Sequence, residues 1–308
     1  MRKLSICIVS LDCWNVLAQC LETVASSEGS NLEVILVDNG SSDGTVDLVR
    51  QRFPWVRVFA NRTNLGFTRA TNQAIIASSG EYIVWLNPDT LVQQGSLPEL
   101  CRFLEERPRA GIVGPRVLNA DGTFQPQCRR GMPTPLAIAS YLLRMDRIWR
   151  SDPRIGQYLM THMPDDQAVQ VVSVSGCCLM ARRQVWEDVG PLDDHMFGFG
   201  EDIDWCVRSR KAGWEVWYYP GSVIVHLKGK GGAHTKPYHK IWGMHQAMWV
   251  FYKKHLMHEY PWLLTALVFV AGLSSLAVSV TGSSVRRMLG VVCLHAPVRF
   301  RARRRRRE

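Results

Sequence analysis

The stretch YIVWLNPD, residues Tyr82 to Asp89, decides the fold predicted for this sequence. Its first five residues are apolar, as expected of a strand buried on both faces in a parallel sheet. Pro88 has no amide hydrogen and disfavours a helical backbone at the residue before it, so the strand ends there. Ligands of open α/β sheets bind beyond the carboxyl ends of the strands. Asp89 is therefore predicted to lie where a phosphate-bound metal ion would sit. A carboxylate that only closes a turn is an equal alternative.

Strand and helix patterns alternate around this stretch through the first half of the chain. Short continuous apolar runs indicate buried strands, and runs with helical spacing lie between them. The alternation predicts an α/β fold with a mostly parallel sheet flanked by helices on both faces. The predicted elements are strands at Leu4–Ser10, Leu32–Val37, Val56–Ala60 and Tyr82–Leu86, and helices at Trp14–Ser26, Thr45–Arg52 (capped by Asp43) and Thr68–Ala77.

The second half of the chain has a weaker pattern. Residues 115–168 are rich in Pro, Arg and Gly, and we expect them to form an irregular insertion that shapes a pocket. Further elements are predicted on both sides of it: helices at Leu97–Glu106 and from Glu201 onward, and strands at Val169–Val174, Cys178–Ala181, Glu215–Tyr219 and Val223–Val225.

Composition places the chain among folded globular proteins, with 308 residues, 46% of them hydrophobic and 21% charged. The nine cysteines include no Cys-x-x-Cys pair, which favours small buried residues in a reducing compartment over redox or metal chemistry. The apolar run Leu4–Leu11 is too short for a signal peptide and is predicted to be the first strand. The folded part is therefore expected in the cytosol.

The end of the chain has a different character. Trp262 to Val280 carries no charge, and nine arginines and one glutamate follow between Arg286 and Glu308, which accounts for most of the net charge of +10. We predict a membrane-embedded hairpin or an interfacial helix, with the arginines on anionic headgroups. A core helix of a soluble protein is the alternative. Nucleic-acid binding is not expected, because no aromatic residues are interleaved with the arginine run Arg303–Arg307.

Polar residues at the ends of predicted strands are candidate ligand contacts. Asp38 ends the second strand and is placed to accept hydrogen bonds from a base or a ribose. After the third strand, Asn64, Gly66 and Arg69 could meet a nucleotide and its phosphates, although an ordinary turn that caps the next helix explains them equally well.

A second acidic cluster opens a helix behind a glycine-rich loop. Glu201 and Asp202 suit a first helical turn through the helix dipole alone, yet a carboxylate placed there can also act as a general base. Asp204 and Arg208 form an i, i+4 pair that is expected to be structural. His226 ends a strand, where a lone histidine is more often structural than a ligand.

Taken in order, these segments resemble the inverting family-2 glycosyltransferases of the GT-A fold, and in particular the branch of rhamnosyltransferases that builds bacterial cell-surface polysaccharides. The resemblance covers roughly residues 4 to 230. The segments that carry it are VDNGSSDG (37–44), NLGF (64–67), LNPDT (86–90), GPR (114–116), SG (175–176), GEDIDWCVR (200–208), KAGW (211–214) and VH (225–226).

The resemblance implies a role for each candidate residue. Asp89 would hold a catalytic Mn²⁺ or Mg²⁺, completed by His226, and Asp202, with Glu201 beside it, would be the catalytic base. The residues implied to bind the donor nucleotide are Ser10, Asp38, Asn39, Asn64, Gly66, Arg69 and Asn87. Leu11-Asp12 departs from the Tyr-Asn found after the first strand in many relatives, which weakens the transfer of fine donor contacts.

The resemblance also implies a domain plan and partners. Residues 1–258 would form a Rossmann-like GT-A domain with a nucleotide-binding half (1–114) and an acceptor-binding half (115–258), followed by a membrane-associated tail (259–308). The expected donor is dTDP-rhamnose or a related sugar nucleotide. The expected acceptor is lipid-linked or a polysaccharide, at the cytoplasmic face of the cell membrane. An inert membrane-bound scaffold and a sugar nucleotidyltransferase are the alternatives.

Overall fold

The computed structural model describes residues 3–27, 31–196, 198–230 and 237–288. The strands are β1 (Leu4–Ser10), β2 (Leu32–Asp38), β3 (Val56–Ala60), β4 (Tyr82–Leu86), β5 (Thr90–Val92), β6 (Ala110–Leu118), β7 (Arg129–Arg130), β8 (Val169–Gln170), β9 (Ser173–Val174), β10 (Cys178–Arg182) and β11 (Glu215–His226). The helices are α1 (Trp14–Ser26), α2 (Thr45–Arg52), α3 (Phe67–Ala77), α4 (Ser96–Glu106), α5 (Pro135–Leu142), α6 (Met145–Ile148), α7 (Arg183–Val189), α8 (Glu201–Lys211), α9 (Pro237–His255) and α10 (Trp262–Met288).

One large sheet runs through both halves of the described chain, in the order β3-β2-β1-β4-β10-β6-β11-β5. The first four strands pair in parallel, as predicted. β10 inserts antiparallel between β4 and β6, and β11 then pairs parallel to β6. Strands β1, β2, β4 and β11 therefore all end at one edge of the sheet, and β10 begins there.

Helices cover both faces of this sheet. Neighbouring residues of one strand point to opposite faces and so enter different parts of the core. In β1, Ile6 and Ile8 pack into the larger cluster with α1 and α4. Cys7 and Val9 point to the other side and pack with Ala70 and other residues of α3. Full burial of each large apolar side chain is worth about 1.5–3 kcal/mol, so the strands that place the site are held firmly on both faces.

Several local predictions are corrected by the structure. Gly44, with a φ of 80°, occupies the N-cap position of α2, while the Asp43 carboxylate accepts a hydrogen bond from the Thr45 N–H. The segment 169–174 divides into β8 and β9, which pair with different strands. The two runs predicted around Pro220 are one strand, β11, with an irregular register in the middle. The insertion at 115–168 is largely irregular, as expected, but contains α5 and α6.

The C-terminal helices form an antiparallel pair. The rings of Trp249 and Phe269 lie 5.1 Å apart, and Tyr252 shares a hydrogen bond of 3.0 Å with Thr265. Of the two predicted forms, the hairpin within 262–280 is wrong, because α10 is continuous, and the interfacial helix stays a prediction. Its window Trp262–Thr281 has a mean hydropathy of 2.2 and no buried residue, which is long and apolar enough to cross a membrane and unlike a soluble core helix. The terminal arginines from Arg299 onward lie outside the described residues.

Candidate active site

The candidate residues gather at the shared strand edge. In the sheet register, Ser10 of β1 lies beside Asp38 of β2, and Leu86 of β4 lies beside Cys178 of β10. His226, at the end of β11, pairs with Thr90, directly after Asp89. The carboxyl ends of parallel strands form the usual ligand crevice of such sheets, so the edge is the expected place for a substrate.

Asp89 and His226 form a buried pair at this edge. The His226 Nε2 atom lies 3.2 Å from the Asp89 Oδ1 atom, and the Lys230 N–H donates to Asp89 Oδ2 at 3.1 Å. Burial opposes the ionisation of Asp89, but the His226 contact and the Lys230 N–H outweigh it and lower the pKa of the carboxyl group.

The imidazole of His226 is held from both sides. Its Nδ1 atom lies 3.0 Å from the Gln125 Oε1 atom, which can only accept, so Nδ1 carries a hydrogen. Gln125 is itself held by its Nε2, which donates to Asn119 Oδ1 at 2.8 Å. Burial disfavours protonation, but the neighbouring Cys177 and the contact with Asp89 outweigh it and raise the pKa of His226 to about 10. Such outer partners commonly orient metal-binding histidines.

The Asp89–His226 pair fits a divalent cation. Two adjacent ligands of an octahedral ion with bonds of about 2.1 Å lie about 3 Å apart, close to the 3.2 Å found here. Asn87, two residues before Asp89, has a buried Oδ1 atom with no hydrogen-bond partner among the described residues. A carboxylate, an imidazole and a free amide oxygen suit Mn²⁺, and Mg²⁺ to the extent that water completes its oxygen shell.

Asp202 and the loop of Asp89 both contact the dipeptide Gly176-Cys177. Its Oδ2 atom accepts from the Gly176 N–H at 2.9 Å and from the Arg130 guanidinium, with which it forms a buried ion pair. The next residue, Cys177, accepts the Asn87 N–H at 2.9 Å through its carbonyl. Gly176 is required here, because a Cβ atom would lie 2.8 Å from the Trp85 ring.

Glu201 differs from its neighbour Asp202 in its surroundings. It is almost fully buried, and its Oε2 atom has no hydrogen-bond partner among the described residues. Burial, helped by the negative charge of Asp202, raises the pKa of Glu201 to about 8. Glu201 is therefore protonated at neutral pH, whereas Asp202 is the acid that is paired with the Arg130 guanidinium.

The polar residues predicted on the nucleotide side bind one another. Ser10 donates its hydroxyl hydrogen to Asp38 Oδ2 at 2.9 Å, and Asp38 Oδ1 accepts the Ser41 N–H at 2.9 Å. The Asn39 side chain bridges to the loop after β3, where it donates to Asn64 Oδ1 at 2.9 Å and to the Gly66 carbonyl at 3.2 Å. These bonds fix the two loops that border the crevice.

Arg69 is not part of this network. It projects from α3 with most of its side chain exposed and forms an ion pair of 2.9 Å with Asp194. Asp193, Asp194 and His195 bring three potential metal ligands within 4.8 Å of one another. Lys254 and Arg69 already neutralise the two carboxylates, and the site is open to water, so the buried Asp89–His226 pair is the better cation site.

Sequence reasoning missed Arg130, Gln125 and Tyr158. Arg130 and Gln125 each contact a predicted site residue, and Tyr158 is hydrogen-bonded to Arg130. All three belong to the irregular segment 115–168, where no strand or helix pattern indicates the direction of a side chain. The sequence shows only two adjacent arginines, Arg129-Arg130. The structure shows that both are largely buried, which is unusual for arginine.

The comparison with protein families decides the identity of this fold. The sequence profile described as "Glycosyl transferase family 2" matches residues 5–190, more than half of the chain. This chain belongs to glycosyl transferase family 2. As a member, it is a glycosyltransferase, as the resemblance of its motifs implied.

Individual relatives place this glycosyltransferase more closely. It is 31% identical over 225 residues to the N-acetylglucosaminyl-diphospho-decaprenol L-rhamnosyltransferase of Mycobacterium tuberculosis, with 68% of this chain and 72% of that protein covered. It is 26% identical over 214 residues to the glycosyltransferase AglE of Haloferax volcanii, covering 68% and 61% of the two chains. The predicted rhamnosyltransferase-like branch is thereby confirmed.

A solved structure supports the fold. GalNAc-T7, crystallised with UDP, GalNAc and Mn²⁺, superposes with a TM-score of 0.57 at 17% sequence identity. The match covers 77% of this chain but 45% of that one, so this glycosyltransferase spans less than half of its length. At this identity the likeness concerns the fold, and it confirms the predicted GT-A architecture.

Proposed function

We propose that this glycosyltransferase is metal-dependent and inverting, and that it moves rhamnose from dTDP-rhamnose to a lipid-linked acceptor at the cytoplasmic face of the membrane. One observation carries the proposal. The dipeptide Gly176-Cys177 holds a proton acceptor, Asp202, on one side and the loop of the cation ligand Asp89 on the other. Transfer from a sugar diphosphate needs both groups close together.

Asp89 and His226 would hold Mn²⁺ or Mg²⁺, and the buried Asn87 Oδ1 atom, two residues before Asp89, is a candidate third ligand. When bound, the cation would neutralise the charge that develops on the leaving diphosphate. Gln125 keeps the imidazole of His226 turned towards Asp89 through its bond to Nδ1. The burial of the pair keeps competing water away from the ligands.

Asp202 would act as the base. The acceptor oxygen forms a bond to the anomeric carbon while the bond from that carbon to the diphosphate breaks, and the acceptor proton passes to Asp202. Attack from the face opposite the leaving group inverts the configuration. Arg130 and the Gly176 N–H fix the carboxylate, and Glu201, protonated at neutral pH, adds no second negative charge.

The two halves of the domain would divide the substrates. Residues 1–114 would supply the donor contacts (Ser10, Asp38, Asn39, Asn64, Gly66 and Asn87), with Arg69 outside this group in its ion pair with Asp194, and 115–258 would bind the acceptor. The M. tuberculosis relative carries a lipid diphosphate in its name, N-acetylglucosaminyl-diphospho-decaprenol, which supports a lipid-linked acceptor over a free polysaccharide. The exposed apolar helix α10 supports a place at the membrane.

A transfer assay tests this function. The purified protein is incubated with dTDP-rhamnose and an N-acetylglucosaminyl-diphospho-polyprenol in the presence of Mn²⁺, Mg²⁺ or EDTA. We expect a rhamnosylated lipid with inverted anomeric configuration by NMR, formed with either cation and not with EDTA. Release of pyrophosphate would instead favour a nucleotidyltransferase. No turnover with any of several nucleotide sugars would favour an inert scaffold.

A further inference from the structure

A basic pocket lies in the insertion that follows β6. Its volume is about 590 Å³, and its lining includes Pro126, Gln127, Tyr141, Arg144, Arg147 and Arg150. Arg144 immediately precedes α6, Arg147 lies within it and Arg150 follows it, and all three line the pocket. Asp146 is the single acid of the lining, which leaves the pocket positively charged.

The arginine side chains of this pocket are free to bind a ligand. Arg144, Arg147 and Arg150 are exposed, and they form no ion pair within the described part of the chain. Other exposed arginines, such as Arg52 and Arg154, have acidic partners. Guanidinium groups bind phosphate oxygens through paired hydrogen bonds, so three of them suit a diphosphate.

Large apolar side chains lie on the same elements as the pocket arginines, and one of them, Leu142, lines the pocket. Leu136, Leu142, Leu143, Ile148 and Trp149 belong to α5, α6 and their flanks, and each is at least half exposed. Such a concentration of exposed apolar surface is unusual for a soluble protein and indicates a binding surface. A ligand with a diphosphate joined to a hydrocarbon chain would satisfy both the arginines and this apolar rim.

The pocket is connected to Asp202 through two side chains. The ring of Tyr141, in the pocket wall, lies 5.2 Å from the ring of Tyr158. Tyr158 is hydrogen-bonded to Arg130, which in turn binds Asp202. A chain of side-chain contacts therefore joins the pocket wall to the proposed base.

Two lining residues follow directly in sequence after Gln125, which contacts the cation pair. Pro126 and Gln127 line the pocket directly after Gln125, whose Oε1 atom lies 3.0 Å from His226 Nδ1. A few side chains thus separate the pocket from Asp202 and from the Asp89–His226 pair. The pocket arginines themselves contact neither.

We propose that this pocket binds the diphosphate of a polyprenyl-diphosphate-linked acceptor, with its first isoprene units on the apolar rim. The proposal rests on the proposed function for the identity of the acceptor. It goes further by assigning recognition of the diphosphate to Arg144, Arg147 and Arg150 and by separating this site from that of the donor diphosphate.

Calorimetric titration of the full chain with farnesyl diphosphate tests the pocket. In the variant Arg144→Gln, Arg147→Gln, Arg150→Gln we expect the Kd of farnesyl diphosphate to rise at least about tenfold, because charge-assisted contacts are lost. The Kd of dTDP with Mn²⁺ should not change. A matched control removes the same charge from exposed arginines elsewhere, Arg50→Gln, Arg102→Gln, Arg154→Gln, and should bind both ligands normally.

Three results would overturn the proposed diphosphate site. These are no binding of farnesyl diphosphate by the unchanged chain, the same Kd in the pocket variant as in the unchanged chain, or the same loss of affinity in the control variant as in the pocket variant. A loss of binding to phosphatidylglycerol vesicles, with an unchanged Kd for farnesyl diphosphate, would assign the arginines to membrane lipid instead. If the expected Kd changes are found but the chain transfers no sugar in the transfer assay, the pocket stands and the proposed function fails.

Discussion

The strand edge that carries the candidate active site and the C-terminal helix α10 differ in how the chain covers them. At the edge, Asp38, Asp89 and Asp202 are almost completely buried, and each accepts a hydrogen bond from a backbone N–H. Along α10, no residue of the apolar window Trp262–Thr281 is buried. The acids at the edge therefore have hydrogen-bond partners within the chain, whereas the apolar side chains of α10 are largely uncovered. The proposed chemistry and the proposed membrane contact thus belong to different parts of the molecule.

Asp204, one turn after Glu201 on α8, links the strand edge to the C-terminal helix pair through α9. Its carboxylate is fully buried and accepts from Arg208 on its own helix and from His255 at the end of α9, at 2.8 and 2.7 Å. Lys254 adds a contact of 2.9 Å. Because α9 packs along α10, the helix that begins with the proposed base is tied directly to the helix pair that would meet the membrane.

The largest change is expected from Asp89→Ala, which removes a charged group from the edge. Metal-dependent binding of the donor should be lost, and transfer should fall by about a thousandfold, since cation chemistry supplies several kcal/mol to such reactions. Donor affinity is measured by calorimetry with Mn²⁺ and with EDTA. Asp47→Ala, on the exposed face of α2, is the control. An unchanged dependence of donor affinity on Mn²⁺ would remove Asp89 from the cation site.

Arg130→Met tests whether the edge depends on its buried pairing. The change leaves Asp202 without its counter-charge, so the free energy of unfolding should fall by about 3 kcal/mol or more. The matched change Arg52→Met breaks an exposed pair with Glu22 and should alter it by less than about 1 kcal/mol. Urea unfolding gives both values. Equal losses in the two variants would mean that the Arg130 pair is no more important than a surface contact.

Glu201 is expected to make the free energy of unfolding depend on pH. Its pKa is about 8 in the folded chain against a usual 4.5, so between these values the folded state keeps a proton that the unfolded state has lost. The contribution of Glu201 to stability therefore falls as pH rises through this window, by up to about 1.4 kcal/mol per pH unit.

Urea unfolding of the unchanged chain and of Glu201→Gln between pH 5 and pH 8 measures this effect. The unfolding free energy of the unchanged chain, relative to that of the variant, should decrease steadily with pH. A difference that stays constant over this range would show that Glu201 is ionised in the folded state.

The smallest change in stability is expected on α10. Leu267→Glu with Leu273→Glu places charges on exposed positions, so the unfolding free energy should change by less than about 1 kcal/mol. Binding to phosphatidylglycerol vesicles, measured by co-sedimentation, should fall sharply. Ile76→Glu, an equally exposed apolar position on α3, should leave vesicle binding unchanged. Normal sedimentation of the α10 variant would separate this helix from the membrane.

The sequence predicted the edge well because its strands are continuous apolar runs that end in polar residues. Asp38, Asp89 and His226 were recognisable as strand ends, and the family resemblance linked them. The antiparallel insertion of β10 was not predictable, since an apolar strand such as Cys178–Arg182 has the same pattern in either direction. Arg130 contacts Asp202 from 72 residues away, within a segment that has no periodic pattern.

The C-terminal helices were predicted less well. Trp262–Val280 was recognised as apolar, but the sequence left a hairpin and a single helix as alternatives, because its length is marginal for a span and its serines dilute its apolar character. Helix α9 was missed altogether. Its apolar residues lie both on the packed side, as Phe251 does, and on the exposed side, as Trp242 does, so no single helical stripe stands out.

The central claim is that Asp202 takes the proton while the cation ligands hold the donor. The most direct measurement compares sugar transfer and donor affinity in Asp202→Asn, with the exposed Asp166→Asn as control. We predict that transfer falls by about a thousandfold while the Kd of dTDP-rhamnose with Mn²⁺ stays the same. Transfer at the rate of the unchanged chain would contradict the assignment of Asp202 as the base.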